Sequence, residues 1–253
     1  LDTASLTQIK HMNVQLNDRV KCSNCPIRHR AVCARCDEDE LDILEKIKSY
    51  RSFKAGETIL WRGDELSHVS SVVGGIATLS KTLDDGRMQM VGLLLPSDFI
   101  GRPGRTTMDF DVTAASDVTL CSFERKSFEK LLANTPHISQ RLVEMAMDEL
   151  DAARDWMVLL GRKTAREKLA TFIQMLVQRS AVSDSEPPSL SLPLTREEIA
   201  SYLGLTLETV SRQFTQFRKD GILEFADRRQ FKVVDHAALI DATGDDADGG
   251  VIV

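Results

Sequence analysis

The sequence predicts an α+β fold in three parts: an N-terminal β-roll (jelly-roll-like), a long helix, and a C-terminal winged helix-turn-helix. Three observations predict it. Residues 51–123 are short runs of Val, Ile, Leu, Phe and Thr cut by Gly and Asp turns, the pattern of a sandwich or barrel. Residues 138–161 keep an unbroken helical apolar period. Residues 194–220 hold two short amphipathic helices around a glycine, followed by a small hairpin. The expected domains are 1–137, with a cysteine-bearing N-terminal segment and the β-roll; 138–161, the long helix; and 162–253, the winged helix-turn-helix.

Composition bounds what such a chain can be. Its 253 residues, 42% hydrophobic and 28% charged, are an ordinary globular balance. No apolar run approaches the ~20 residues of a membrane helix. The N-terminus lacks a basic-then-apolar secretion pattern, so a cytoplasmic protein with no membrane partner is expected. The net charge of −6 excludes a uniformly basic surface but leaves room for a local basic patch.

In chain order, residues 1–21 are polar and expected to be loosely ordered. A dense cysteine run follows. Asp37-Glu38-Asp39-Glu40 then leads into Leu41, Leu44 and Ile47, acids before apolar spacing that open a short helix. Within the β-rich region, Asp84-Asp85-Gly86 joins Ile76–Leu83 to Met88–Leu95 as a hairpin. In the long helix, Leu142, Ala146, Leu150, Ala153, Met157 and Leu160 form one apolar stripe, and Ile138, Met145, Ala152, Trp156 and Leu159 an adjacent one. Two stripes exceed what packing on a single core requires. The first suits a coiled-coil-like homodimer, although a helix clamped between two domains of one chain has the same pattern. Asp148, Asp151 and Asp155 lie opposite, as a solvated face. Gly161 is expected to end this helix. Another helix follows over about 164–179, then a surface loop around Pro187-Pro188, and an acidic, glycine-rich tail from Asp241 expected to fray.

The segment from Leu194 reads as a nucleic-acid interface. Thr195 and Glu198 form a capping box, Gly204 permits a tight turn, and Val210, Phe214 and Phe217 anchor a second helix inward. Thr206, Glu208, Thr209, Ser211, Arg212 and Gln216 then point outward. Arg suits guanine, Glu suits cytosine, and Ser suits either a base or a phosphate. Ile222–Phe225 and Gln230–Val234 form the wing, with Arg228 and Arg229 at its tip for phosphate. Seven basic and six acidic residues lie between Thr195 and Lys232, so affinity has to come from placement. A purely structural helix corner with solvated polar residues is the competing reading.

Four of the five cysteines fall in Cys22-Ser23-Asn24-Cys25-Pro26-Ile27-Arg28-His29-Arg30-Ala31-Val32-Cys33-Ala34-Arg35-Cys36, and the fifth is Cys121. In a reducing cytosol such thiols read as metal ligands. Two Cys-x2-Cys pairs suit zinc, but seven intervening residues is short against the usual ~15–20. A tight run plus one distant cysteine suits an iron–sulfur cluster. The chemistry alone favours neither, and for a lone cysteine such as Cys121 a small buried core residue is the more common fate.

The order of parts, with Leu94-Leu95-Pro96-Ser97-Asp98-Phe99-Ile100-Gly101 and Gly204-Leu205-Thr206-Leu207-Glu208-Thr209-Val210-Ser211-Arg212, resembles the Crp/Fnr superfamily of bacterial transcription regulators over nearly the whole chain. The Cys-x2-Cys-x7-Cys spacing is similar to that of its oxygen-sensing FNR branch. That resemblance implies a β-roll that acts as a sensor, carrying a [4Fe-4S] cluster on Cys22, Cys25, Cys33 and Cys121, with Cys36 left as a fifth thiol and the alternative to Cys33. It implies base contacts from Glu208, Ser211 and Arg212, a homodimer on palindromic double-stranded DNA with TTGAT-like half-sites, and RNA polymerase as partner. The Glu and Arg-Ser that cyclic-AMP-binding cousins use for their ligand are absent; Arg102-Pro103-Gly104 and Asp109 and Asp111 stand in that region. A zinc-bound or metal-free regulator and a cluster-bearing redox protein are the alternatives. No dinucleotide fingerprint or nucleophile motif favours an enzyme.

Overall fold

The computed structural model describes residues 21–180 and 190–245. The expected loose N-terminus up to residue 20, the 181–189 loop and the tail from 246 lie outside them. Two compact units result, one from residues up to Leu79 with Leu93–Arg141, the other from Ser80–Gly92 with Leu142 onward.

In the first unit the cysteine segment begins with a 3-10 turn, Cys22–Asn24, and coils through further tight turns to Cys36. Helix α1 (Glu38–Ile47) follows. Asp37 caps it, accepting from Glu40 N at 2.9 Å while Glu40 accepts from Asp37 N at 3.0 Å. Eight strands come next in the chain, β4 passing into the second unit and β5 returning from it: β1 (Lys48–Phe53), β2 (Thr58–Leu60), β3 (His68–Gly74), β4 (Ala77–Thr82), β5 (Met88–Leu94), β6 (Phe99–Ile100), β7 (Asp111–Ala114) and β8 (Val118–Glu124). They form two four-stranded sheets, ordered β1-β8-β3-β6 and β2-β7-β4-β5. Val72, Ile100, Val118 and Leu120 of the first sheet share a core with Ile59, Ala77, Leu94, Val112 and Ala114 of the second. This is the expected β-roll.

Strand alternation decides what the other face of the first sheet carries. With Val118 and Leu120 turned into the core, Cys121 and Phe123 point to the opposite face. Phe123 stacks there on Phe128 of α2 (Arg125–Asn134), with ring centroids 5.3 Å apart. The sequence reading missed α2, a single short helix whose apolar side is little more than Phe128 and Leu131.

Helix α3 runs Pro136–Arg162. Gly161 does not end it as expected: that glycine keeps helical backbone and the helix closes one residue later. In the second unit α4 (Ala165–Ser180), strand β9 (Leu190–Ser191), α5 (Arg196–Leu203), α6 (Leu207–Lys219), β10 (Leu223–Phe225), β11 (Gln230–Val233) and α7 (His236–Asp241) complete a winged helix-turn-helix. β9 adds a third strand to the wing, beside β11, and α7 is a further element unread in the sequence. Among the described residues no helix is long and apolar enough to cross a membrane.

Candidate metal centre and nucleic-acid interface

The sheet face behind Cys121 is built by register. On three adjacent strands Tyr50, Cys121 and Ser71 stand side by side, Tyr50 opposite Cys121 and Ser71 opposite Cys121. The cysteine segment covers this face with Ile27, Ala31 and Val32, all buried. Between segment and sheet lies a cavity of about 20 Å³ lined by Cys22, Cys25, Cys33 and Cys121, with Leu44, Tyr50, Ser71 and Phe123. Cys36 does not line it, although it too is buried.

The segment is braced from both sides. Arg28 donates to Ala34 O at 2.9 Å and to Cys36 O at 2.8 Å, closing the coil on itself. Cys22 N donates to Glu45 Oε2 at 2.6 Å, and Glu45 pairs with Lys48, whose side chain is 4% exposed, at 3.0 Å. Two contacts then tie the segment and α1 to the start of α3. Arg141 Nη2 donates to Arg30 O at 2.8 Å, and His137 Nδ1 lies 3.0 Å from Glu40 Oε1, one helical turn away.

Burial favours the protonated form of Cys22, Cys33 and Cys121. Burial first, then a bond to Glu45, pushes Cys22 up to about 12. Burial and the nearby Cys22, Cys25 and Cys33 push Cys121 upward, and burial with Cys25 does the same to Cys33. Lys48 opposes the shift at Cys22 and Cys121. Four soft donors on one apolar-walled cavity, with a buried cation beside them, fit a thiophilic metal centre. The cavity also holds an orphan: Ser71 is 2% exposed and its Oγ finds no partner among the described residues. Sequence reasoning missed Tyr50, Ser71, Glu45 and Lys48. No motif marks them, and only strand register and the α1–β1 junction bring them in.

The recognition segment is assembled as its residue types dictate. Thr195 accepts from Glu198 N at 3.2 Å and Glu198 accepts from Thr195 N at 2.6 Å, the two halves of the capping box. Gly204 takes φ 62°, a left-handed turn that favours glycine. Thr206 caps α6 through Thr209 N at 3.2 Å. Val210, Phe214 and Phe217 are buried, and cations clamp two of them from outside: Arg196 stacks over Phe214 at 5.2 Å and Arg166 over Phe217 at 4.7 Å. Thr206, Glu208, Arg212 and Gln216 are exposed, while Thr209 and Ser211 are half-buried. At the wing tip Asp227 accepts from Arg229 N and Gln230 N, both at 2.7 Å, and leaves Arg228 and Arg229 exposed.

On α3 the two apolar stripes separate. Ile138 and Leu159 of the second stripe are fully buried. Of the first, Ala146, Leu150, Ala153, Met157 and Leu160 are exposed and Leu142 is half-buried. Val143, Met147 and Val158, which the sequence reading left out, widen the exposed apolar face, with Met157 65% and Val143 60% exposed.

A β-roll, a long helix with a bare apolar face and a winged helix-turn-helix are the parts of a DNA-binding regulator of transcription. Residues 50–135 match the cyclic nucleotide-binding domain family and residues 167–242 the Crp-like helix-turn-helix domain family. The chain is 57% identical over 237 residues to the transcriptional activator protein FnrL of Cereibacter sphaeroides, covering 92% of this chain and 96% of that protein. It is 40% identical to the nitrogen fixation regulation protein FixK of Bradyrhizobium diazoefficiens, covering 80% and 85%. Its fold is similar to the structure of FixK2 from Bradyrhizobium japonicum, with TM-score 0.73 and 34% identity over 79% of this chain and all of that one. The chain belongs to the Crp/Fnr family of transcription regulators.

Proposed function

We propose that this chain is an oxygen-responsive transcription regulator of the cytoplasm, in which Cys22, Cys25, Cys33 and Cys121 hold a [4Fe-4S] cluster. The observation that carries the reading is that these four thiols line one cavity although Cys121 lies far along the chain, and that Cys36 stands outside it. The spacing of the sulfurs favours a cluster over one ion. A tetrahedral zinc at about 2.3 Å from each sulfur draws its ligands to ~3.8 Å of one another. Among the described residues no three cysteine sulfurs come within 4.8 Å of one another.

A cluster so held supplies an oxygen-labile centre, and its loss sets all four sulfurs free. The chain's own residues turn that into a signal. With the thiols engaged, segment 21–36 is fastened to β8, and Arg30 of the segment with Glu40 of the following α1 fastens the first turns of α3 at Arg141 and His137. The outer apolar face of α3, with half-buried Leu142 and exposed Ala146, Leu150, Ala153, Met157 and Leu160, then joins a second copy as a homodimer. Two recognition helices one DNA turn apart read palindromic double-stranded DNA with TTGAT-like half-sites. Glu208, Ser211 and Arg212 contact bases, Thr206 and Thr209 stand at the helix entrance, and Arg228 reaches phosphate. RNA polymerase is the partner of the bound dimer.

Anaerobic purification with iron, sulfide and zinc analysis tests the centre. Iron and sulfide in equal amounts, lost in air together with more than tenfold in DNA affinity, are expected. Each of Cys22, Cys25, Cys33 and Cys121 changed to Ser abolishes the cluster and Cys36→Ser spares it. A cluster that survives loss of Cys33 but not of Cys36 overturns the ligand set, and stoichiometric zinc overturns the cluster.

A further inference from the structure

We propose that Ser71 is a positioning residue of the metal centre, donating the hydrogen bond of its hydroxyl to a sulfur of the bound group and so setting how easily that group is oxidised. The inference rests on the cluster reading above. It starts from an imbalance within the sheet. Ser70, on one face of β3, satisfies its hydroxyl on Ser122 Oγ at 2.8 Å. Ser71, one residue on and therefore on the other face, lines the cysteine cavity beside Cys121 and has no partner among the described residues. A buried hydroxyl without a partner is costly, and an apolar residue of the same size would serve the sheet better. The cost is recovered if the acceptor arrives with the ligand. Thiolates and sulfides are acceptors, and a hydrogen bond to them stabilises the more negative, reduced form of a cluster.

The effects of Ser71→Ala therefore have opposite signs in the two states. The metal-free variant melts at the same or a higher temperature than wild type, because only an orphan is lost. The reconstituted variant has a lower reduction potential in an anaerobic titration followed by visible absorbance, and loses its cluster in air-saturated buffer about tenfold faster. Ser71→Thr, which keeps the hydroxyl, restores both readings. Failure of Ser71→Ala to take up iron, with Ser71→Thr loaded, equally supports the proposal. A loaded Ser71→Ala with wild-type potential and wild-type rate overturns it, as does a metal-free Ser71→Ala that melts well below wild type. If wild-type protein itself takes up no iron and sulfide, the cluster reading falls, and this one with it.

Discussion

Burial makes Cys22, Cys33, Cys36 and Cys121 a store of protons. Cys22 and Cys36 are each pushed up to about 12, and Cys33 and Cys121 also rise, in every case chiefly because their charged forms lose water. A group whose folded pKa lies above its unfolded one binds its proton more tightly in the folded state. The stability it contributes is complete below the unfolded value and is lost as pH rises through the folded one. The metal-free protein is thus expected to hold its melting temperature near pH 8 and to lose it progressively from about pH 8.5 towards about 12. Circular dichroism melts across that range check this, and the decline is shallower in Cys36→Ala, which removes one of the thiols. The same shifts make metal loading release protons, so uptake at fixed metal concentration weakens as pH falls. At this scale the cysteines were legible because thiol chemistry is carried by residue type and spacing. Ser71, Tyr50 and Lys48 were not, because a serine in a strand and a lysine after a helix acquire a role only from the register of β1, β8 and β3.

Helix α3 shows what periodicity can and cannot say. Two apolar stripes were plain in the sequence, and the inward one, with Ile138 and Leu159 at 0% exposure, packs within its own chain. The outward face is wider than the expected stripe, because Val143, Met147 and Val158 lie beside it and are exposed. Val143, Met147, Leu150 and Met157 follow the alternating four- and three-residue steps of a heptad seam, and the one position that breaks the series is Arg154. Arg154 is exposed and paired with Asp151 at 2.8 Å, an exposed pair that contributes about 0–1 kcal/mol. In a parallel two-helix seam two Arg154 side chains meet across the axis. Arg154→Leu is therefore expected to strengthen dimerisation by tenfold or more, and Leu150→Glu to weaken it by a similar factor; sedimentation equilibrium of the metal-free protein reads both. An Arg154→Leu variant no more dimeric than wild type removes Arg154 from the seam. Gly161 departs from expectation for a related reason. Glycine ends a helix when the backbone turns left-handed, as at Gly204 with φ 62°, and nothing in the residue type announces that Gly161 stays helical. The wing hairpin was legible from its strand residues, whereas the third strand, Leu190–Ser191, is too short to carry a pattern.

For the molecule as a whole, three equilibria are tied together under the proposed function: metal at the cysteine cavity, association along α3, and DNA at α6. If the loaded centre favours the dimer and the dimer favours DNA, thermodynamic linkage requires the converse with the same factor. A tenfold gain in DNA affinity on loading corresponds to about 1.4 kcal/mol of coupling, and the same free energy must appear as tighter iron retention when DNA is bound. The measurement is an anaerobic competition with an iron chelator, with and without a saturating palindrome of TTGAT-like half-sites. The chelator concentration that removes half the iron is expected to rise by the factor that loading adds to DNA affinity. A single half-site, which holds one protomer and leaves α3 without a second copy, shifts it much less. Arg212→Ala, on the exposed face of α6, abolishes the DNA effect while leaving chelation in its absence unchanged, because no residue of the cysteine cavity is altered. Equal iron retention with and without the palindrome, in protein whose DNA affinity does depend on iron, is thermodynamically impossible at equilibrium. Iron retention and DNA affinity that are both mutually indifferent would separate the cysteine centre from DNA binding altogether.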